Sequence, residues 1–173
     1  MASIKAQFSR IEVVVLDVDG VLTDGSIVVT AQGEENRIMN TKDGFALNHA
    51  AKMGFPVWVI SGGKSPGVAT RLHRLGLKEV HLGIDNKLET LESLLSQNNI
   101  KKENVLYMGD DLPDYHCMQT VGIAACPADS APEILAIAQY VVPVDGGKGC
   151  VRHLLREVLL AKGLWFVSDA VSS

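Results

Sequence analysis

The sequence predicts an α/β fold, a Rossmann-like doubly wound parallel sheet with helices on both faces. Short apolar runs rich in β-branched residues recur along the chain of 173 residues, as is typical of buried parallel strands. Segments with helical spacing lie between these runs, and the connections are short. Gly, Asp, Ser or Pro closes most of the runs, and ligands bind beyond the carboxyl ends of such strands.

Strands and helices alternate along the chain. The runs that predict strands are "IEVVVLDVDG", "FPVWVISGG", "EVHLGI", "NVLYMGDD", "VGIAAC" and "QYVVPV". Helical patterns are predicted over residues 42–53, 65–75, 86–97, 131–138 and 150–161. Ser65 followed by Pro66 is typical of a helix start, because serine caps the free N–H groups and proline fits the first turn.

One segment, from Thr23 to Asn40, breaks this alternation. Its pieces "SIVVT", "AQGEE" and "NRIMN" predict a β-hairpin flap over about residues 24–40, turning around Gly33. No repeat or linker divides the chain, so we expect one domain over residues 1–173. Its C-terminal tail, about 146–173, contains "GGKG", a helix and "LWFVSDAVSS", and we expect the aromatic end to dock rather than extend into solvent.

Composition excludes several classes of protein. The chain has 16 Lys and Arg against 20 Asp and Glu, and aromatic residues make up 5%, which argues against a nucleic-acid partner. Cys117, Cys126 and Cys150 are odd in number and form no C-x-x-C pair, as expected of reduced thiols. The sequence lacks an apolar signal core and a membrane-length apolar run, so we expect a cytoplasmic protein without membrane contact.

Polar residues cluster where four of the predicted strands end. Asp17 and Asp19 follow the first apolar run, and two buried carboxylates are unfavourable unless a cation binds them. The other clusters are Ser61 with Gly62 and Gly63, Lys87 at the head of a helix, and Asp110 with Asp111. Alone, each has an ordinary interpretation as a turn, a cap or a surface lysine. Together they predict a single site.

These residue types suit phosphoryl transfer. Asp17, Asp19 and Asp110 are hard oxygen ligands for Mg²⁺, and a carboxylate beside Mg²⁺ and Lys87 can accept a phosphoryl group. Ser61 offers a hydroxyl and Gly62 an approachable backbone N–H for the phosphoryl oxygens. An EF-hand, the other reading of D-x-D-G, is excluded because positions 5 and 12 of the loop are valines.

The same motifs resemble the haloacid dehalogenase superfamily of phosphotransferases. "LDVDGVLTDG" is similar to its first motif, Ser61 to the second, Lys87 to the third and "GDDLPD" to the fourth. The forms "DVDGVLTDG", "GDDLPD", "CPADSAPEI" and "GGKGCVR" resemble phosphatases of 3-deoxy-D-manno-octulosonate 8-phosphate (Kdo 8-phosphate). Related phosphatases of nine-carbon sugar acids, acting on KDN or neuraminate 9-phosphate, share the pattern.

The resemblance implies a role for each motif residue. Asp17 would be the nucleophile and a Mg²⁺ ligand, and Asp19 the general acid and base with its main-chain carbonyl on the metal. Asp110 would be the third ligand, supported by Asp111, and Asp114 would cap or orient the loop. Ser61 and Gly62 would hold the phosphoryl oxygens, while Lys87 would bridge phosphate and nucleophile.

The resemblance also predicts how the site is closed. Many members carry an inserted cap domain, but residues 20–60 and 88–108 leave room only for the hairpin, two helices and two strands. A capless member implies a homotetramer, in which the hairpin and a neighbour's tail close over the sugar-acid phosphate. Kdo 8-phosphate as substrate would place the reaction in lipopolysaccharide precursor synthesis.

One difference from the family pattern bears on how the sugar acid is bound. These phosphatases commonly have Arg directly after the glycine of the second motif, whereas this chain has Gly63. Substitutes for that arginine would be Lys64, Arg71, Lys148 or Arg152, the last two from a neighbouring subunit.

Two other functions are alternatives to the phosphatase. One is a signalling receiver domain, which carries its acidic pair on the first strand and needs no Asp at the position of Asp19. The other is a non-catalytic assembly module.

Overall fold

A computed structural model describes residues 4–165 of the protein. Its strands are β1 (Val13–Leu16), β2 (Val28–Val29), β3 (Glu35–Asn36), β4 (Val57–Ser61), β5 (Val80–Leu82), β6 (Val105–Met108), β7 (Ile123–Cys126) and β8 (Tyr140–Val141). Its helices are α1 (Ile4–Gln7), α2 (Thr41–Lys52), α3 (Pro66–Arg74), α4 (Lys87–Asn98), α5 (Tyr115–Thr120), α6 (Pro132–Ile137) and α7 (Cys150–Ala161).

The main sheet has six strands in the order β5-β4-β1-β6-β7-β8, and every neighbouring pair is parallel. Strand β1 lies in the middle, where Val15 pairs with Trp58 on one side and Tyr107 on the other. The chain runs outward from β1 in both directions, so the strand order reverses there. Ligands bind at such a reversal, beyond the carboxyl ends of the strands.

Helices cover both faces of the sheet, which confirms the predicted doubly wound α/β architecture. The residues of β1 are fully buried and alternate between two apolar clusters. Val14 and Leu16 lie in the cluster that contains α2 and α7, whereas Val13 and Val15 lie in the one that contains α4 and α5. This two-sided burial explains why the strand is a continuous apolar run rather than an alternating one.

Five of the helices match the predicted segments closely, and Ser65 caps α3 through a hydrogen bond from the Val68 N–H, with Pro66 in the first turn. Helices α1 and α5, of four and six residues, are absent from the sequence-based prediction. The stretches 20–60 and 88–108 contain no further domain, so the predicted absence of a cap is confirmed. Within residues 4–165, no helix has both the length and the apolar character needed to span a bilayer.

The predicted hairpin is present as a separate sheet in which β2 pairs antiparallel with β3. Each strand is only two residues long, so the flap contains less regular structure than the sequence suggests. Val28 and Val29 are exposed along it. A two-stranded hairpin with an exposed apolar face is only marginally stable alone.

The "GGKG" segment packs on the loop that follows β1. The Gly147 N–H donates to the Val21 carbonyl at 3.0 Å, and Asn40 Nδ2 donates to the Gly147 carbonyl at 3.1 Å. Further on, the Trp165 ring lies 5.1 Å from the His49 ring, centroid to centroid. The tail therefore docks through residue 165, and the expectation for Phe166 and beyond lies outside the described residues.

Candidate active site

Three adjacent strands deliver the predicted site residues to one edge of the sheet. Asp17 and Asp19 follow β1, Ser61 ends β4, and Asp110 follows β6. Because β1 lies between β4 and β6, these side chains meet around its carboxyl end. A cleft of about 320 Å³ opens there, lined by Asp17, Asp19, Gly20, Gly25, Ser61, Gly62, Gly63, Lys87, Asp110, Asp111, Pro113 and Asp114.

A buried lysine joins two of the carboxylates. Lys87, the first residue of α4, places Nζ 3.0 Å from Asp17 Oδ1 and 2.8 Å from Asp114 Oδ1. All three residues are buried, so their charges interact with little solvent screening. The contact with Asp114 is a hydrogen bond, whereas Asp17 Oδ1 has ionic contact but no well-aligned donor within residues 4–165.

Asp114 organises the floor of the cleft, a role that the sequence suggested only weakly. The Tyr107 hydroxyl donates to Asp114 Oδ1 at 2.8 Å, and the Asp110 N–H donates to Oδ2 at 3.2 Å. Burial raises the pKa of Tyr107 well above 10, so the phenol stays a donor. Asp114 makes no side-chain cap to α5, so of its two expected functions it orients the loop. The sequence feature that could have indicated this role is the i, i+4 spacing of Asp114 from Asp110.

Asp111 lies at the outer end of the same loop. Its Oδ1 accepts the Leu112 N–H at 2.8 Å and so caps the short 3₁₀ turn Leu112–Asp114. The residue is exposed, although it lines the cleft. Its predicted support of the metal ligands remains a prediction.

Gly20 allows the fourth motif to approach the first. Its φ of +84° belongs to the left-handed region that favours glycine. A Cβ at this position would also collide with the carboxylate of Asp110. The glycine of "DVDG" is therefore required both by its backbone conformation and by the close approach of Asp110.

Crowding of carboxylates shifts their proton affinities. Burial, and then the Asp114 charge, raise the pKa of Asp17 from 3.8 to about 6, against the opposing effect of Lys87. Burial raises the pKa of Asp110 to about 7, and the charges of Asp17 and Asp114 add to this. Burial lowers the pKa of Lys87, but the two aspartates raise it by more, so the ammonium stays charged. The site holds more negative charge than Lys87 balances.

A divalent metal fits this site. Oxygen atoms of Asp17, Asp110 and Asp114 all lie within 4.8 Å of one another. Both oxygens of Asp114 accept hydrogen bonds already, whereas Asp17 Oδ1 is buried and accepts none from the residues that the structure describes. Asp17 and Asp110 therefore suit direct coordination, with Asp114 holding Asp110 in place. Few carboxylates and an open cleft match Mg²⁺, which keeps water and substrate oxygens among its ligands.

Asp19 has a partner that sequence reasoning missed. Arg37 comes from the hairpin and donates from Nε to Asp19 Oδ1 at 2.7 Å and from Nη2 to Oδ2 at 3.0 Å. Nothing in the local sequence links these residues, which stand 18 positions apart. Ser61 is buried and its Oγ accepts the Gly63 N–H at 3.3 Å, which directs the hydroxyl toward the turn after β4.

The residues proposed for the sugar are not brought together within one chain. Lys148 pairs with Asp24 at 3.0 Å, and Arg152 lies over the Phe45 and Trp165 rings at 5.3 and 5.5 Å. The remaining two candidates, Lys64 and Arg71, occupy the space that a Cβ on Gly83 and on Gly44, respectively, would need. None of the four lines the cleft among the residues that the structure describes.

Comparison with known proteins agrees with the fold and the motifs. Residues 79–154 match the model of the haloacid dehalogenase-like hydrolase family. The chain is 38% identical over 162 residues to the 3-deoxy-D-manno-octulosonate 8-phosphate phosphatase KdsC of Escherichia coli, covering 94% of this chain and 86% of that protein.

Solved structures give the same result. The phosphatase of that name from Yersinia pestis superposes with a TM-score of 0.90 at 33% identity, covering 93% of this chain and 87% of the other. The one from Moraxella catarrhalis, solved with magnesium ion, phosphate ion and KDO, gives 0.89 at 29% identity and covers 94% of each chain. The chain belongs to the 3-deoxy-D-manno-octulosonate 8-phosphate phosphatase family of haloacid dehalogenase-like hydrolases.

Proposed function

We propose that the protein is a Mg²⁺-dependent phosphatase that hydrolyses Kdo 8-phosphate to Kdo and inorganic phosphate. The observation that carries this is Asp17, a buried carboxylate beside Lys87 at the open end of β1, one oxygen of which accepts no hydrogen bond within residues 4–165. A carboxylate in these surroundings is prepared for attack on phosphorus rather than for a structural role. The names of the relatives supply the substrate.

In the first half of the reaction, an Asp17 oxygen attacks phosphorus and the bond from phosphorus to the sugar oxygen breaks. Asp19 donates a proton to the leaving alkoxide, which leaves as the sugar acid. Lys87, Ser61 and the Gly62 N–H hold the transferring phosphoryl oxygens. Bound Mg²⁺, held by Asp17, Asp110 and the Asp19 carbonyl, neutralises part of the negative charge of phosphate and nucleophile.

In the second half, water attacks the phosphorus of the aspartyl phosphate. Asp19 takes a proton from that water, and the bond from phosphorus to Asp17 breaks, which regenerates the free carboxylate and releases phosphate. Asp114 holds Lys87 and the Asp110 backbone and thereby preserves the spacing of the reacting groups.

The test is release of phosphate from Kdo 8-phosphate with and without Mg²⁺, beside the 9-phosphates of KDN and neuraminate. We expect preference for Kdo 8-phosphate, loss of activity in Asp17→Asn, and normal activity in the exposed control Glu133→Gln. Preference for a nine-carbon acid would reject the substrate while keeping the mechanism. No release from any of the three, with folding intact, would favour the non-catalytic assembly module.

We infer further that the working form is a homotetramer of single-domain chains in the cytoplasm, serving lipopolysaccharide precursor synthesis. The hairpin supports the assembly, because its exposed apolar side chains have no cover within residues 4–165. The capless cleft supports it too, since small substrates need water excluded during transfer. Since residues 4–165 leave the hairpin side chains exposed, we infer that a neighbouring chain supplies the cover.

A further inference from the structure

The Arg37 side chain is held in one orientation by contacts on two sides. Its Nε and Nη2 atoms donate to the two oxygens of Asp19, while Nη1 donates to the Glu35 carbonyl at 3.0 Å. The Arg37 side chain is only 3% exposed, although it comes from a flap whose other residues are largely exposed. An arginine packed in this way presents a fixed fork to a carboxylate.

The fork determines how Asp19 is oriented. Two parallel N–H···O bonds fix the plane of a carboxylate as well as its position. No other hydrogen bond to the Asp19 side chain exists among residues 4–165. Asp19 is also 31% exposed, so without Arg37 its side chain would be free to rotate into solvent.

The space for this fork exists because residue 63 has no side chain. A Cβ on Gly63 would lie 2.9 Å from Asp19 Oδ2 and 3.1 Å from Arg37 Nη2. Both distances are tighter than ordinary van der Waals contact, so a side chain at position 63 and the Arg37 guanidinium would compete for one volume. The glycine after the second motif and the arginine on the hairpin are therefore complementary.

We propose that Arg37 is a positioning residue for Asp19, and that Gly63 lacks a side chain in order to admit it. The inference rests on the proposed function, in which Asp19 exchanges protons with the leaving group and with water. Proton transfer requires an oxygen within hydrogen-bond reach of the reacting atom, and small misplacements lower the rate strongly. Arg37 acts through Asp19 and is not among the residues that line the cleft in the described part of the chain.

The first test is a double-mutant cycle of Arg37→Ala and Asp19→Asn, with kcat and KM measured separately on Kdo 8-phosphate in Mg²⁺. We expect Arg37→Ala to lower kcat by about 10- to 100-fold and to change KM by less than about threefold. In the Asp19→Asn background, loss of Arg37 should lower kcat only slightly further, because the carboxylate that Arg37 positions is already absent. An effect confined to KM, or full additivity, would overturn the proposal.

Chemical rescue separates positioning from a structural role. Millimolar guanidinium, far below a denaturing concentration, should restore part of the kcat of Arg37→Ala but not that of the Arg37→Ala, Asp19→Asn double variant. Arg37→Lys keeps the charge without the fork and should be intermediate. Lack of rescue in a folded Arg37→Ala protein, together with full activity of Arg37→Lys, would show that charge alone matters and would reject the proposal.

The complementarity with Gly63 gives an independent test. Gly63→Ala should lower kcat in the wild-type background and have a smaller effect in Arg37→Ala, where Nη2 is gone and the Asp19 carboxylate is no longer fixed against the added methyl group. Gly67→Ala is the matched control, since the nearest atom to its Cβ would be 4.0 Å away. An equal loss of kcat in both backgrounds would contradict competition between the side chain at position 63 and Arg37 for one volume.

Failure of the substrate assignment can be told apart from failure of this inference. If wild-type protein releases no phosphate from Kdo 8-phosphate, the same cycle is run on p-nitrophenyl phosphate, which still passes through hydrolysis of the aspartyl phosphate. Non-additivity there would keep the role of Arg37 while the substrate is rejected. Additivity on a substrate that the wild type hydrolyses would reject Arg37 alone.

Discussion

At the scale of single residues, the cleft is organised around an imbalance of charge. Asp17, Asp110 and Asp114 converge within 4.8 Å, and Lys87 is the ammonium that contacts two of them. Tyr107 and the Asp110 N–H stabilise Asp114, but neither donates to Asp17 Oδ1, which accepts no hydrogen bond within residues 4–165. The remaining negative charge favours a bound cation, since buried like charges repel strongly at low dielectric.

This imbalance predicts that Mg²⁺ affinity depends on pH. Without metal, the pKa values of Asp17 and Asp110 are raised to about 6 and about 7, so protons occupy these carboxylates at low pH. Metal and protons compete for the same oxygens. We therefore expect the Mg²⁺ association constant, measured by calorimetric titration, to increase from about pH 5 to about pH 8 and then to level off.

Asp110→Asn provides the control for this measurement. It removes one ligand charge and one titrating group, so both the affinity for Mg²⁺ and the steepness of its pH dependence should fall. The rise in melting temperature on addition of Mg²⁺ should follow the same trend, because the ion binds the native state. An affinity that does not change with pH in the wild-type protein would contradict the prediction.

At the scale of elements, a single side chain links the helix after the hairpin to the C-terminal helix. Asp43 lies in the first turn of α2, and its Oδ1 accepts the Arg152 N–H at the start of α7, at 2.6 Å. It is 1% exposed, and its Oδ2 has no hydrogen-bond partner within the described range. Burial raises the pKa of Asp43 to about 6, although the Arg152 and Gly149 N–H groups oppose this.

The raised pKa of Asp43 determines the direction in which stability changes with pH. Between about pH 4 and pH 6 the native state keeps a proton that the unfolded chain has lost, so the free energy of unfolding falls as pH rises through this range. Asp43→Asn keeps an oxygen acceptor without the charge. We expect it to raise the free energy of unfolding at neutral pH by about 1–3 kcal/mol and to flatten the slope between those pH values.

Urea unfolding at several pH values measures this effect. Asp145→Asn is an exposed control that should change neither the free energy of unfolding at neutral pH nor its slope with pH. If Asp43→Asn destabilises the protein at neutral pH and keeps the wild-type slope, the charge itself stabilises the start of α7. That result would contradict burial of the Asp43 charge as the cause of the pH dependence. A helix N-terminus favours a nearby carboxylate, so the measurement decides whether this attraction or the cost of burying the charge is larger.

At the scale of the whole molecule, the hairpin presents an apolar surface that residues 4–165 leave exposed. Val29 and Ile38 are 68% and 75% exposed, and Ile27 and Val28 lie beside them. The six-stranded sheet is covered on both faces by helices, so this apolar surface is separate from the core. Exposed apolar strands of this kind mark sites of association between chains.

We expect wild-type protein to have the mass of a tetramer in solution, and Val29→Asp or Ile38→Asp to shift it to smaller species. Light scattering coupled to size-exclusion chromatography measures this directly. Leu160→Asp on α7 is the control, because Leu160 is also an exposed large apolar residue but lies outside the hairpin. A monomeric wild type, or variants of unchanged mass, would contradict assembly through the hairpin.

Much of the fold and of the site is determined by local sequence. The run Val13–Leu16 is apolar on both faces and therefore had to become a central parallel strand. Asp17, Ser61 and Asp110 follow strands, and parallel strands end at one edge, so their convergence follows from topology alone. The one-domain organisation of residues 1–173 remains a prediction.

Tertiary structure alone decided the contacts between residues far apart in the chain. The Arg37–Asp19 pair and the space at Gly63 join segments that no periodicity or motif relates. The motifs place Lys87 and Asp114 in one site, but the hydrogen bonds from Lys87 and Tyr107 to Asp114 are seen only in the structure. The same holds for the link from Asp43 to α7. Periodicity and caps act over one or two turns of chain, whereas the partner of a buried charge is set by how whole elements pack.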